Sequence, residues 1–296
     1  MGRLRPEIKK SRAGRWLARG ENHLAEGNIE KTLECCEKAL SEYVNLNGAY
    51  HLMAAALMPG DHYRVLLSRF HESLRPEGYV EIGVAEGETL SLANPETKVV
   101  GIDPWPRINK KIKSRAKIYP IGSDEFFASY DLFSELGTAT VPMAFIDGLH
   151  LFEQVLKDFI NLERYADDKT VILIHDCLPV ARILATRKPA TDLWCGDVWK
   201  IFPCLKRYRP DLTVGVIPTP PSGLGIITHL DPRSTVLPDN LDRIIAEYRD
   251  EVLPYEFLDT GEHSLAMMVQ DVAPNNWEQI TRMLSMGESR CPAVVQ

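Results

Sequence analysis

Two short segments hold the side chains best suited to moving a proton: F-I-D-G-L-H, ending on His150, and V-I-L-I-H-D-C, which carries His175 and Asp176. Each closes an apolar run of strand type, and adjacent parallel strands place their carboxyl ends side by side at one edge of a crevice. Asp147, His150, His175 and Asp176 should therefore gather there, and four ionisable or metal-coordinating groups at one edge are hard to explain as packing. An unperturbed imidazole titrates near about 6.5, which makes His150 the candidate general base, with Asp147 beside it. The structural alternatives are a packing or capping His150, an Asp147 that caps the following helix, and an Asp158 that is a solvated or salt-bridged helical position, which is the favoured reading for Asp158.

The second chemically loaded stretch runs from Tyr79 to Trp105. It reads as a strand, a turn containing Gly83 and Gly87, a short helix, and a second strand ending on Asp103. Glu81 and Asp103 lie in or at the end of apolar runs, where a carboxylate needs a partner, and at strand ends that partner is a ligand. A dinucleotide site needs G-x-G-x-x-G so that a pyrophosphate can sit on a helix N-terminus. Here Ala85 takes the second glycine position and Glu88 the third, so a phosphate would meet Glu86 and Glu88.

The pattern E-x-G-x-x-x-G from Glu81 to Gly87, followed by Asp103 at the next strand end, resembles the first two motifs of class I S-adenosylmethionine-dependent methyltransferases. The D-G-x-H of Asp147–His150 and the H-D of His175–Asp176 resemble the subfamily of macrocin-type and mycinamicin-type sugar O-methyltransferases and cephalosporin-hydroxylase-like proteins. The resemblance implies S-adenosylmethionine as cofactor, a sulfonium without phosphate that acidic neighbours favour. It implies cofactor contacts from Glu81, Gly83, Ala85, Gly87, Asp103 and Asp147, an adenine contact from Ser123 and Asp124, and His150 as base. Ser123 and Asp124 serve equally well as a cap for the helix that begins there. The metal-dependent relatives hold a divalent cation (Mg²⁺ or Mn²⁺) with one Asp after the fourth strand and two acidic residues after the fifth. Asp147 and Asp176 match, but His175 stands at the remaining position. That set of donors accepts Mn²⁺, Fe²⁺ or Zn²⁺ more readily than Mg²⁺.

The elements that must position these groups alternate strand and helix from residue 76 onward, as a parallel sheet covered on both faces requires. Strands are predicted at 79–84, 98–103, 117–121, 142–147 and 170–175, with helices near 87–93, 124–136 and 151–166. After a loop from Cys177 to Cys195 and a helix to Tyr208, Leu212–Pro218 and Leu224–Leu230 flank a turn too short for anything but an antiparallel pair. The predicted fold is a doubly wound α/β seven-stranded sheet, five parallel strands plus an antiparallel terminal hairpin, with an N-terminal helical cap. In the methyltransferase topology this resembles, the last strand slips between the fifth and sixth. The segment 76–232 is the expected methyltransferase domain, 61–75 a linking helix, and 233–296 a helical extension. Residues 1–60 read either as a generic helical hairpin or as one and a half tetratricopeptide-like repeats, on Trp16, Gly20, Gly27, Ala39, Tyr50 and Ala54.

A chain of 296 residues with a formal charge of −7 argues against a nucleic-acid substrate. The basic run Arg107–Lys117 is either a solvated helix face or loop, the favoured reading, or a contact for an anionic substrate. Six cysteines without a C-x-x-C pair, a basic N-terminus lacking an apolar core and no bilayer-length apolar run lead to the expectation of a cytoplasmic protein with no membrane association. The tryptophans Trp194 and Trp199 are either a substrate lid or core. The expected activity is O-methylation of a small hydroxylated metabolite or sugar, metal assistance included, by a protein that could form homo-oligomers. Two rivals stay open: a nicotinamide-dependent oxidoreductase, disfavoured by Ala85, Glu88 and the hairpin, and a non-catalytic cofactor-binding adaptor that uses the N-terminal helices.

Overall fold

In the computed structural model, which describes residues 6–250 and 275–285, the five short apolar runs form parallel strands. These are β1 (Gly78–Ile82), β2 (Lys98–Ile102), β3 (Arg115–Tyr119), β4 (Met143–Ile146) and β5 (Val171–His175). A hairpin of β6 (Thr213–Ile217) and β7 (Leu224–Thr228) completes the sheet in the order β3-β2-β1-β4-β5-β7-β6, with β7 antiparallel to both neighbours.

Side chains alternate across the strands, so each strand feeds two cores. Val80, Ile82, Val100, Ile102, Ala144, Ile146, Ile172 and Ile174 pack with α7 (Phe152–Glu163) and α8 (Ile201–Tyr208). Tyr79, Val99, Met143, Phe145 and Leu173 pack on the other face with Leu66, Leu67 and Phe70 of α4 (Tyr63–Leu74). Each such side chain contributes about 1.5–3 kcal/mol on burial, which explains why strands covered on both faces carry continuous apolar runs. β3 lies at an edge and exposes Arg115 and Lys117, charges that discourage pairing with another chain.

Some expected elements differ. β1 stops at Ile82 because Gly83 turns the chain at φ +89°. The helix expected near 87–93 is only a 3₁₀ turn, Leu90–Leu92. The helix expected at 124–136 is two, α5 (Ser123–Ser129) and α6 (Leu132–Leu136), because Asp131 accepts the Ser134 N–H at 3.0 Å and restarts it. Residues 107–114 are not helical, and β3 begins at Arg115.

The N-terminal part is three helices: α1 (Pro6–Ala25), α2 (Ile29–Glu42) and α3 (Asn47–Leu57). They converge at Gly20, where an added Cβ would lie 2.9 Å from Leu52 Cδ2 and 3.3 Å from Cys35 Cβ. α4 is fastened to the hairpin turn, with Tyr63 N–H donating to Pro220 O at 3.3 Å. Toward the C-terminus lie α9 (Val236–Asp239), α10 (Leu241–Tyr248) and α11 (Trp277–Ser285), whose Trp277 meets Phe70 edge-on at 5.1 Å. The remainder of the expected C-terminal extension, 251–274 and 286–296, lies outside the described residues. Among the described residues no helix is long and apolar enough to cross a membrane.

Candidate active site

The turn after β1 is shaped by backbone contacts. A Cβ on Gly83 would fall 1.9 Å from the Asp147 carbonyl oxygen, so only glycine lets β1 end against the start of the D-G-L-H segment. Ala85, where a dinucleotide motif has glycine, adopts φ +44°. The Asp103 carboxylate holds this turn in place: Oδ2 accepts the N–H groups of Val84 (2.9 Å) and Ala85 (2.8 Å), and Oδ1 that of Trp105 (2.7 Å). Three backbone donors converge on this one carboxylate, and Asp103 lines the crevice.

The basic run is a largely exposed loop, as the solvated reading expects, and it folds back on this turn. Arg107 pairs with Glu86 at 3.4 Å, Lys110 pairs with Glu88 at 3.4 Å, and Arg64 of α4 also contacts Glu88. Arg107 N–H donates to Ala85 O at 2.8 Å and Asn109 N–H to Glu86 O at 3.1 Å. Glu86 and Glu88 are thus partly neutralised, so their charge repels a phosphate less than the sequence implies.

A crevice of about 1030 Å³ opens beyond the carboxyl ends of β1, β2, β4 and β5. Gly83, Ala85, Asp103, Ser123, Asp124, Asp147, His150, His175 and Asp176 all line it. Glu81 and Gly87 do not. Glu81 is fully buried beneath the turn, where it accepts from Tyr79 Oη (2.7 Å) and Thr89 Oγ1 (2.8 Å). Burial pushes its pKa up to about 8 against the opposing hydrogen bonds of Tyr79 and Thr89. Glu81 sits mid-strand and alternation turns it into the core, which corrects its assignment as a cofactor contact. The Cβ direction of Gly87 faces Ile108, so this glycine packs the turn against the 104–114 loop.

Ser123 and Asp124 reach the crevice, but neither caps α5, whose N-cap is Gly122. Ser123 Oγ donates to Asp158 at 2.6 Å, and Gln154 donates to both Asp124 (2.9 Å) and Asp158 (3.0 Å). Asp158 is therefore neither solvated nor salt-bridged. It is 1% exposed, and burial raises its pKa to about 6, opposed by Ser123 and Gln154.

In the same crevice, two histidines and two carboxylates alternate in a ring. His150 Nε2 lies 3.3 Å from Asp147 Oδ1 and its Nδ1 3.2 Å from Asp176 Oδ2. His175 Nδ1 lies 3.2 Å from Asp147 Oδ1 and 3.6 Å from Asp176 Oδ1. His150 Nδ1 also donates to the Trp194 carbonyl at 2.9 Å. Ser222 Oγ contacts His175 Nε2 at 3.3 Å and donates to Asp176, and the Tyr63 ring stacks on His175 at 4.0 Å. Burial alone would raise the Asp147 pKa, but His175 and His150 outweigh it and hold the carboxyl well below the usual range. Burial alone would lower the His150 pKa; Asp176, Asp147 and the Trp194 carbonyl raise it instead, to about 9. His175 is raised too, by Asp147 and Asp176 against burial. In this arrangement His150 is an imidazolium at neutral pH, a correction to its unperturbed value. It becomes a base above about pH 9, or once a carboxylate beside it is engaged elsewhere.

Asp147, His175 and Asp176 present ligand atoms within 4.8 Å of one another. Two carboxylates and an imidazole converging at a crevice wall fit a divalent cation of the Mn²⁺, Fe²⁺ or Zn²⁺ type.

Several wall residues escaped the sequence reading because they come from remote elements. His51 of α3, His62 and Arg64 at the start of α4, and Asp192–Trp194 complete the crevice wall. Asn45 accepts the Asp192 N–H at 3.3 Å and joins the cap to this wall. Burial, with Arg64, lowers the His62 pKa to about 4, so that ring is neutral. The two flagged tryptophans part company: Trp194 lines the crevice, while Trp199 is core. Trp105, which closes the Tyr79–Trp105 stretch and has no role in the sequence reading, lines the crevice 80% exposed.

Residues 80–177, about a third of the chain, match the family model described as a methyltransferase domain. No curated protein matches the sequence. Among solved structures, the chain is similar to the O-methyltransferase TomG from Streptomyces achromogenes, involved in tomaymycin synthesis and crystallised with SAM. Identity is 16% and the TM-score 0.44, over 57% of this chain and 80% of that one. It is also similar to the O-methyltransferase from Bacillus cereus in complex with SAH, with 13% identity and a TM-score of 0.44 over 64% of this chain and 90% of that one. With its seven-stranded mixed sheet, flanking helices and a matched methyltransferase domain, the chain has the Rossmann-like methyltransferase fold.

Proposed function

We propose that the protein transfers a methyl group from S-adenosylmethionine to a hydroxyl of a small metabolite or sugar. The observation that carries this is that the Asp147–His150–Asp176–His175 ring lines one crevice together with the Gly83 turn and Asp103. Carboxylates outnumber fixed cations in the crevice wall, which suits a sulfonium and not a pyrophosphate. S-adenosylmethionine supplies the methyl group on a positively charged sulfur.

The chain's own contribution is placement and proton handling. Asp103 and the backbone it organises fix the nucleoside end, and the Gly83 turn admits a ligand close to the Asp147 carbonyl. His51, His62, Tyr63 and Trp194 wall the acceptor end and exclude water. In-line alignment of an acceptor oxygen with the methyl carbon is worth several kcal/mol by itself. His150 takes the hydroxyl proton in its neutral form, which it reaches above about pH 9 or once one neighbouring carboxylate is engaged elsewhere, and a carboxylate remaining beside it stabilises the imidazolium that results. A divalent cation held by Asp147, His175 and Asp176 would draw both carboxylates away from His150 and acidify the acceptor hydroxyl.

The test is titration calorimetry with S-adenosylhomocysteine and with NADH, followed by methyl transfer from labelled S-adenosylmethionine to a panel of hydroxylated metabolites, with and without Mn²⁺. Binding of the nucleoside and label in an oxygen-linked product are expected. Binding of NADH alone would remove the proposal.

A further inference from the structure

The tetrapeptide Trp194-Cys195-Gly196-Asp197 grips His150 from several sides. His150 sits at φ +58°, a conformation that residues with side chains seldom adopt and that must be held by its surroundings. Asp197 N–H donates to the His150 carbonyl at 3.1 Å, and Asp197 Oδ1 accepts the Phe152 N–H at 2.8 Å, so one residue ties the backbone at the strained position and again two residues beyond it. The N-cap residue of α7, Leu151, offers no side-chain cap, and Asp197 takes that task from 45 residues away. Gly196, at φ +62°, lies so close that a Cβ there would fall 1.8 Å from His150 O. The Trp194 carbonyl then fixes the ring through Nδ1 at 2.9 Å.

The Asp197 carboxylate is itself immobilised. Its side chain is 1% exposed, and Oδ2 accepts from Lys200 Nζ at 3.0 Å, a side chain equally buried, and from Arg187 at 2.5 Å. Lys200 is anchored further by the Arg249 carbonyl at 2.8 Å. Arg187 also holds Glu153 on the first turn of α7, at 2.6 and 3.0 Å. A capping role alone would need one hydrogen bond. Trp194 and Asp197 between them hold the His150 ring, its carbonyl and the Phe152 amide, and the carboxylate that does the tying is locked by two cations.

We propose that Asp197 is a positioning residue that holds His150 in its left-handed conformation, with its ring aimed into the crevice. The role it serves rests on the reading of His150 as the group that takes the acceptor's proton.

The experiment compares two variants of the full chain that both lose the buried lysine: Asp197→Ala/Lys200→Met and Asp197→Asn/Lys200→Met. They differ in whether an oxygen remains for the Phe152 amide. Imidazole-¹⁵N NMR reads the Nδ1–H of His150, assigned by its disappearance in His150→Ala, and calorimetry reads S-adenosylhomocysteine affinity. The alanine variant should exchange this proton about tenfold faster, the scale of one lost hydrogen bond, while the asparagine variant stays near wild type and both bind the nucleoside normally. With an acceptor in hand, kcat should fall in the alanine variant at unchanged KM. Equal exchange in the two variants would overturn the proposal, as would equal loss of nucleoside binding with His150 undisturbed. Should the alanine variant fail to fold, Arg187→Ala, at a partly exposed side chain, should loosen the same tie, and an unchanged His150 signal there overturns the proposal. A wild-type protein that binds no S-adenosylhomocysteine would remove the methyltransferase reading and leave the ring comparison standing.

Discussion

The two ends of the crevice are built by opposite means. At the cofactor end the shape comes from backbone: a glycine against a carbonyl, an alanine in a left-handed turn, and amides gathered on Asp103. At the acceptor end it comes from side chains of alternating charge that satisfy one another out of water. The first kind of site fails by sterics, all at once, because packed backbone has no room to give. The second fails by charge, because removing one member strands the others. A methyl-transfer site needs both: a fixed seat for the donor and a neighbourhood whose protonation can shift.

Gly83→Ala is the most severe way to break the cofactor end. The new Cβ would overlap the Asp147 carbonyl at 1.9 Å with φ already at +89°, so a loss of about 4 kcal/mol or more is expected by thermal or denaturant unfolding. A loss under about 1 kcal/mol would mean that the turn relaxes and is not rigid. The matching test of the acceptor end is His150→Ala, which should cost about 10²–10⁴-fold in turnover and leave S-adenosylhomocysteine affinity unchanged. If both quantities fell together, the two ends would be one cooperative unit. Asp103→Ala sharpens the contrast from the other side: releasing the Val84, Ala85 and Trp105 amides should weaken nucleoside binding by about 1–3 kcal/mol in calorimetry.

The same contrast decides what was legible in the sequence. The five parallel strands and the gathering of Asp147, His150, His175 and Asp176 follow from the alternation of strand and helix, since parallel strands bring their carboxyl ends together, while the place of the last strand between the fifth and sixth came from the family resemblance. The pKa of His150 does not follow, because it depends on two carboxylates at 3.2–3.3 Å that no spacing rule fixes. Asp158 looked like a surface position on a helix; its partner Ser123 is 35 residues away and on another element. Asp197 lay in a segment noticed only for its tryptophans, and its grip on His150 spans the whole loop after β5. Glu81 misled for a local reason: a motif letter says nothing about which way a strand side chain points.

Glu81 also supplies the gentlest probe, since it lies buried beneath the turn and outside the crevice wall. Its folded pKa of about 8 exceeds the ordinary 4.5, chiefly through burial, so between these values the folded protein keeps a proton that the unfolded chain has lost. This contribution to stability is present in full below the unfolded value and declines as pH rises toward the folded one. Over a single pH step from about 6 to 7 the decline is at most about 1.4 kcal/mol. Glu81→Gln removes the titration while its amide can still serve Tyr79 and Thr89, so unfolding free energies of the variant should lose that share of the slope. A slope identical to wild type would show that Glu81 is ionised in the folded state. The negative charge of the acceptor end would then extend under the turn, and the two ends would share one electrostatic field.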